Sequence, residues 1–79
     1  MRTWGNERMR ITYDPKADTV TIVLREGPVS ESDEVRPGII VDYDREGRVL
    51  GFEILDAREH VTDPQGIHYE VAARHADGR

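Results

Sequence analysis

The sharpest chemical spacing in this chain belongs to the carboxylates of Asp42-x-Asp44-x-Glu46-Gly47 and the Glu53 that follows. Counted from Asp42, acids fall at positions one, three, five and twelve, glycine at six and apolar Val49 at eight. Apart from the glutamate at five, this is the spacing of an EF-hand calcium loop. Such a loop needs a helix on either side to aim its oxygens at one ion. Here Ile39-Ile-Val before it and Leu50 to Leu55 after it read as strands. Asp42 and Glu53 are therefore expected beside a β-hairpin, with Asp44 and Gly47 serving the geometry of its turn. A calcium-binding alternative rests on Asp42, Asp44, Glu46 and Glu53; the reading itself assigns no metal and no cofactor.

Other chemistry is sparser. His60, His68 and His75 are not spaced to share one helix face, and with no cysteine a transition-metal site would need carboxylates from distant loops. Ser30 and Ser32 lie in an acidic stretch with no Gly-x-Ser-x-Gly turn to present a nucleophile. Asp42 and Glu53 can approach across the hairpin, which keeps a small acid-base or metal-dependent enzyme as an alternative, although proximity is common among sixteen acids. Tyr13, Tyr43 and Tyr69 are expected to pack the sheet with their hydroxyls at its rim. No catalytic residue is assigned, and the chain reads as a non-enzyme.

The elements that position these residues follow from periodicity. Met9, Ile11 and Tyr13 alternate with polar residues, as do Val20, Ile22 and Leu24, and Asp14-Pro-Lys-Ala-Asp18 between them is turn chemistry. This predicts a first antiparallel hairpin. From Arg25 to Arg36 the alternation lapses into an acidic loop carrying Glu31, Asp33 and Glu34. Ile39 to Tyr43 and Val49 to Leu55, flanking Asp44-Arg-Glu-Gly47, form the central hairpin. Asp56 as N-cap opens a short helix to Val61, Thr62-Asp-Pro-Gln-Gly66 breaks it, and Ile67, Tyr69 and Val71 predict a fifth strand.

Length and charge bound what these elements can do. Seventy-nine residues make one domain near the lower limit for a single apolar core. Eleven basic against sixteen acidic side chains give a net charge of −5, which disfavours nucleic acid and anionic membrane and suits a basic protein partner. No apolar run approaches the roughly 20 residues of a membrane span, and the N-terminus shows no signal-peptide segment, so a cytoplasmic location is expected.

The run Met9-Arg-Ile-Thr-Tyr-Asp-Pro-Lys-Ala-Asp-Thr-Val-Thr-Ile-Val-Leu24, with Pro37-Gly-Ile-Ile-Val-Asp-Tyr-Asp and Gly51-Phe-Glu-Ile-Leu-Asp-Ala57, resembles the small prokaryotic family called domain of unknown function 2283. The resemblance implies the architecture and no established activity. Some members are similar to proteins encoded beside small ribonuclease-like toxins, which implies an antitoxin-like role. The residues before Met9 and the segment after Pro64 depart from the family pattern.

The expected fold is α+β and β-rich: an antiparallel meander of about five strands, two hairpins plus a C-terminal strand, with one short helix. Residues 1–8 read as a flexible arm holding Trp4, 9–72 as the domain and 73–79 as a tail. Both faces of the central hairpin carry apolar side chains, so self-association as a homodimer is expected. Ile39, Val41 and Val49 fall on one side and Ile40, Leu50, Phe52 and Ile54 on the other. The interface candidates are Ile40, Leu50, Phe52 and Ile54, with Glu31, Asp33 and Glu34 for a basic partner.

Overall fold

A computed structural model describes residues 8–73. Of the arm with Trp4 (1–8) and the tail with His75 (73–79), residues 1–7 and 74–79 lie outside the described residues. Five strands, β1 (Arg10–Asp14), β2 (Thr19–Val23), β3 (Glu31–Arg36), β4 (Ile39–Tyr43) and β5 (Val49–Ile54), form one sheet in the order β1-β2-β5-β4-β3. Every neighbouring pair is antiparallel. The architecture is the β-rich antiparallel sheet that the alternation predicts, with two corrections. The fifth strand is Glu31–Arg36, the acidic stretch read as a loop, whereas Ile67, Tyr69 and Val71 belong to no strand and stand exposed. The order is also not a simple meander, because β2 pairs with β5.

Residues 24–30 make this order possible by crossing the ends of β5 and β4 to reach the far edge. The crossing is pinned where Leu24 N and Arg25 N donate to Leu50 O (2.8 and 3.2 Å) and Ser30 N donates to Tyr43 O (2.7 Å). At the opposite end, Asp14 Oδ1 accepts from Lys16 N at 3.0 Å, closing the first turn as its sequence requires. Asp18, in the left-handed region at φ 51°, ends that turn. The expected helix is a single 3-10 turn, Ala57–Glu59, and Asp56 adopts φ 50° without a side-chain capping bond. A residue in that conformation redirects the chain instead of opening an α-helix.

The register sorts the side chains into rows. On one face Ile11, Ile22, Phe52, Val41 and Asp33 lie side by side, as do Tyr13, Val20, Ile54, Ile39 and Arg36. On the other run Thr12, Thr21, Glu53, Ile40 and Glu34, then Arg10, Val23, Gly51, Asp42 and Ser32. One face is thus apolar and the other largely polar. This corrects the grouping expected from the hairpin alone: Phe52 and Ile54 sit with Val41 and Ile39, while Ile40 lies opposite Glu53. The reason is a bulge. Asp42 pairs with Gly51 and Tyr43 with Val49, leaving Leu50 as the extra residue.

The core is thin. Val20, Val41, Leu50 and Ala57 are its buried apolar members, and among the described residues no large side chain is completely buried. Phe52, Ile54, Ile22 and Ile39 are half-buried on the apolar face.

Candidate functional site

Two neighbouring features carry the chemistry that the chain can offer, a carboxylate pair on the polar face and an acidic outer strand. Asp42 lies near the end of β4, directly opposite Ser32 on β3, and Ser32 Oγ donates to Asp42 Oδ1 at 2.6 Å. Asp42 is buried, with 9% of its surface exposed. Glu53 on β5 lies diagonally across from it, and hydrogen bonding to Asp42 raises the Glu53 carboxyl above its ordinary pKa, helped by desolvation and by the charge of Asp42. The shift favours a protonated Glu53 beside Asp42.

Such a pair has the form of an acid-base couple, but its surroundings offer little room for a substrate. Asp42, Gly51, Leu50, Gly27 and Val29 line a hollow of about 130 Å³ beneath the crossing loop, below the roughly 300 Å³ at which small-molecule sites begin. Ser32 is engaged as a donor to Asp42. The ring of His60 lies against Gly38 at the start of β4, and His68 pairs with Glu70 at 3.0 Å in the exposed segment that follows.

The remaining carboxylates of the calcium-like spacing point elsewhere. Asp44 Oδ1 accepts from Glu46 N and Arg48 N, both at 2.9 Å, and Asp44 Oδ2 accepts from Arg48 Nε at 2.8 Å. The Arg48 backbone N–H leads in holding the Asp44 carboxyl below its usual pKa, with the guanidinium and the Glu46 N–H adding to it. Glu46 bonds Arg48 Nη2 at 2.6 Å, and Gly47 takes φ 82° to close the turn. Thus Asp42 and Glu53 come together while Asp44 and Glu46 are spent on the hairpin turn. Among the described residues no group of three or more histidines and carboxylates is placed to hold a metal ion.

Beside the pair, β3 forms the outer edge of the sheet, and all six of its residues are exposed. Glu31 and Asp33 lie with Tyr43 along an open hollow of about 530 Å³ that also touches Ser32 and Gly47. Glu34 accepts the Gly38 N–H at 2.9 Å and so closes the β3–β4 turn. The register slips between Glu34 and Arg36, setting Val35 outside the ladder. Of the apolar interface candidates, Phe52 and Ile54 lie on the apolar face, Ile40 on the polar one, and Leu50 is buried with its Cδ2 against Gly27.

The family described as Protein of unknown function (DUF2283) matches residues 10–58. The chain belongs to that family. The matched span contains all five strands of the DUF2283 sheet and the first two residues of the 3-10 turn. No curated protein and no solved structure matches the chain.

The motif residues of the DUF2283 domain have structural work in this chain. Tyr13 Oη donates to Asp18 Oδ1 at 2.8 Å, an interaction that raises the tyrosine pKa, and the Asp18 carbonyl receives the Ala57 N–H at 2.8 Å. Ala57 is fully buried under the end of the sheet. Gly51 has no room for a side chain, because a Cβ there would overlap the carbonyl oxygen of Ile22. Ser32, weighed in the sequence only as a nucleophile, and Tyr43, read only as sheet packing, take up places at the site that the sequence did not assign them. Their signal was the register of a strand without apolar alternation, which only pairing with β4 reveals.

Proposed function

We propose that the chain is a protein-interaction module, not an enzyme, in which β3 and the hollow beside it receive an extended basic segment of a partner protein. One observation supports this most: the acidic run is an edge strand, exposed throughout, with Glu31, Asp33 and Tyr43 around one open hollow. The outward backbone groups of an edge strand can pair with an incoming strand. Carboxylates accept the forked donors of arginine, and a tyrosine face attracts its cation. The net charge of −5 steers a basic partner toward the surface. A small basic toxin of the ribonuclease kind, masked as an antitoxin masks it, is the partner class that the resemblance to toxin-neighbouring members brings to this reading.

The test is affinity purification of the tagged chain from its own cells at low salt and at about 0.5 M salt, where the Debye length is roughly 4 Å. A basic protein should be retained at low salt, released at high salt, and lost from a Glu31→Lys, Asp33→Lys double variant. Retention of the same protein by the double variant would overturn the proposal.

A further inference from the structure

We propose that the opposite edge, β1, is a self-complementary surface on which a second copy of this chain docks to make one continuous sheet. The apolar face decides where a copy is needed. Its rows end at β3 in Asp33 and Arg36, but at β1 they end in Ile11 and Tyr13. Ile11 is 40% exposed and Met9, just before the strand, 48%. Strand β1 pairs with β2 in an unbroken five-residue register and ends the sheet on that side, so its outward backbone groups form a straight, unbulged ladder half.

The register follows from symmetry and charge. Two copies related by a two-fold axis perpendicular to the sheet keep their apolar faces on the same side only if opposed residues have the same parity. Centring the pair on Thr12 sets Thr12 against Thr12 once and, twice each, Ile11 against Tyr13 and Arg10 against Asp14 of the other copy. The whole of β1 is then used, and both of its charged residues meet an opposite charge, the favourable arrangement for cross-strand pairs. Sliding the centre to Ile11 or Tyr13 shortens the overlap and places a charge against Thr12. The same operation on β3 is unfavourable, because centring on Asp33 or Glu34 opposes an acid to its own copy. Arg10 already lies 3.3 Å from Glu26 across the exposed surface, and the turn engages Asp14 through Oδ1 among the described residues. Neither contact removes the residue from the edge. The resulting dimer presents its two acidic β3 strands at opposite ends, so the inference stands independently of what, if anything, binds there.

The test uses the full chain and exploits the two-fold. At about 10 µM, where a complex with a micromolar dissociation constant is largely formed, the unmodified protein should sediment as a dimer of 9.0 kDa chains. Arg10→Asp and Asp14→Arg should each sediment as monomers, since each opposes like charges twice, and thermal melts report that each is folded. An equimolar mixture of the two should recover the dimer as a heterodimer in native mass spectrometry, as should the double exchange R10D/D14R as a homodimer. A monomeric unmodified protein would overturn the proposal. So would a dimer that survives both single variants, because it would place the contact on the apolar face or the N-terminal arm instead. Should Asp14→Arg unfold by losing its turn, Ile11→Lys in the folded chain must still weaken the dimer, and a dimer of undiminished affinity would refute the β1 edge.

Discussion

The two outer strands of this sheet solve the problem of an open edge in opposite ways. At β3 the strand is acidic, exposed on both faces and interrupted by a bulge. These are the devices that keep an edge from pairing with its own kind. At β1 the register is regular, the charges are one of each sign at the two ends, and the inward row ends in Ile11 and Tyr13. A two-fold copy would meet like charges at β3 and, in the proposed register, unlike charges at β1. The comparison teaches that a single-layer sheet of this size can carry two edges of opposite character, with the carboxylate pair Asp42 and Glu53 standing on the β3 side.

The largest effect is expected at the seam between these two halves. The β1–β2 hairpin joins the β5–β4–β3 half along the β2–β5 ladder. Gly51 lies on that seam, and Gly51→Ala forces the Ile22 carbonyl away from β5. Overpacking of this kind costs about 1–3 kcal/mol, and the upper end is expected because the obstacle is backbone. Urea denaturation should show the midpoint falling sharply or the fold lost. An unchanged midpoint would mean that the two halves are less tightly joined than the register requires.

The two halves were unequally legible in the sequence. The first hairpin could be read from Ile11, Tyr13, Val20 and Ile22 because each strand alternates, and its turn from Asp14 and Pro15. The central hairpin was readable for the same reason, and its numbering brought Asp42 and Glu53 near one another. Strand β3 was not readable: Glu-Ser-Asp-Glu-Val-Arg has no apolar face, since an edge strand exposed on both sides needs none, and only the pairing with β4 makes it a strand. The pairing of Ser32 with Asp42 was missed with it. The reverse error occurred at Ile67, Tyr69 and Val71, which alternate as a strand does but have no ladder partner among the described residues and remain exposed. The bulge at Leu50 regrouped the hairpin faces for a similar reason, since one extra residue shifts every side chain beyond it.

A smaller effect, confined to one edge, is expected from Ser32→Ala. It removes the hydroxyl that donates to buried Asp42 and so leaves a carboxylate oxygen without its donor. Such a loss costs about 1–3 kcal/mol. Hydrogen exchange should show β3 amides losing protection while β1 amides change only by the global amount. Equal loss at both edges would show that Ser32 supports the whole sheet instead of fastening β3 to β4.

The smallest change is expected from Glu53→Gln, and its sign depends on pH. Hydrogen bonding to Asp42, burial and the charge of Asp42 all raise the Glu53 carboxyl above its reference value of 4.5. The groups facing it across the sheet are Thr21 on β2 and Ile40 and Asp42 on β4, with Thr12 and Glu34 at the ends of its row, so no cation in that set offsets its ionisation. A carboxyl whose folded pKa is raised contributes stability below its unfolded pKa, and that contribution is lost as pH rises through the folded value. Glutamine keeps the neutral form at every pH. The variant should therefore match the parent in acid and exceed it at neutral pH, by an amount within the 0.5–1 kcal/mol or so of a modest substitution. Melting curves from acid to neutral pH would display this as a flatter profile for Glu53→Gln. A variant less stable than the parent at pH 7 would reverse the reading, because ionised Glu53 would then be held by a favourable partner that glutamine cannot replace.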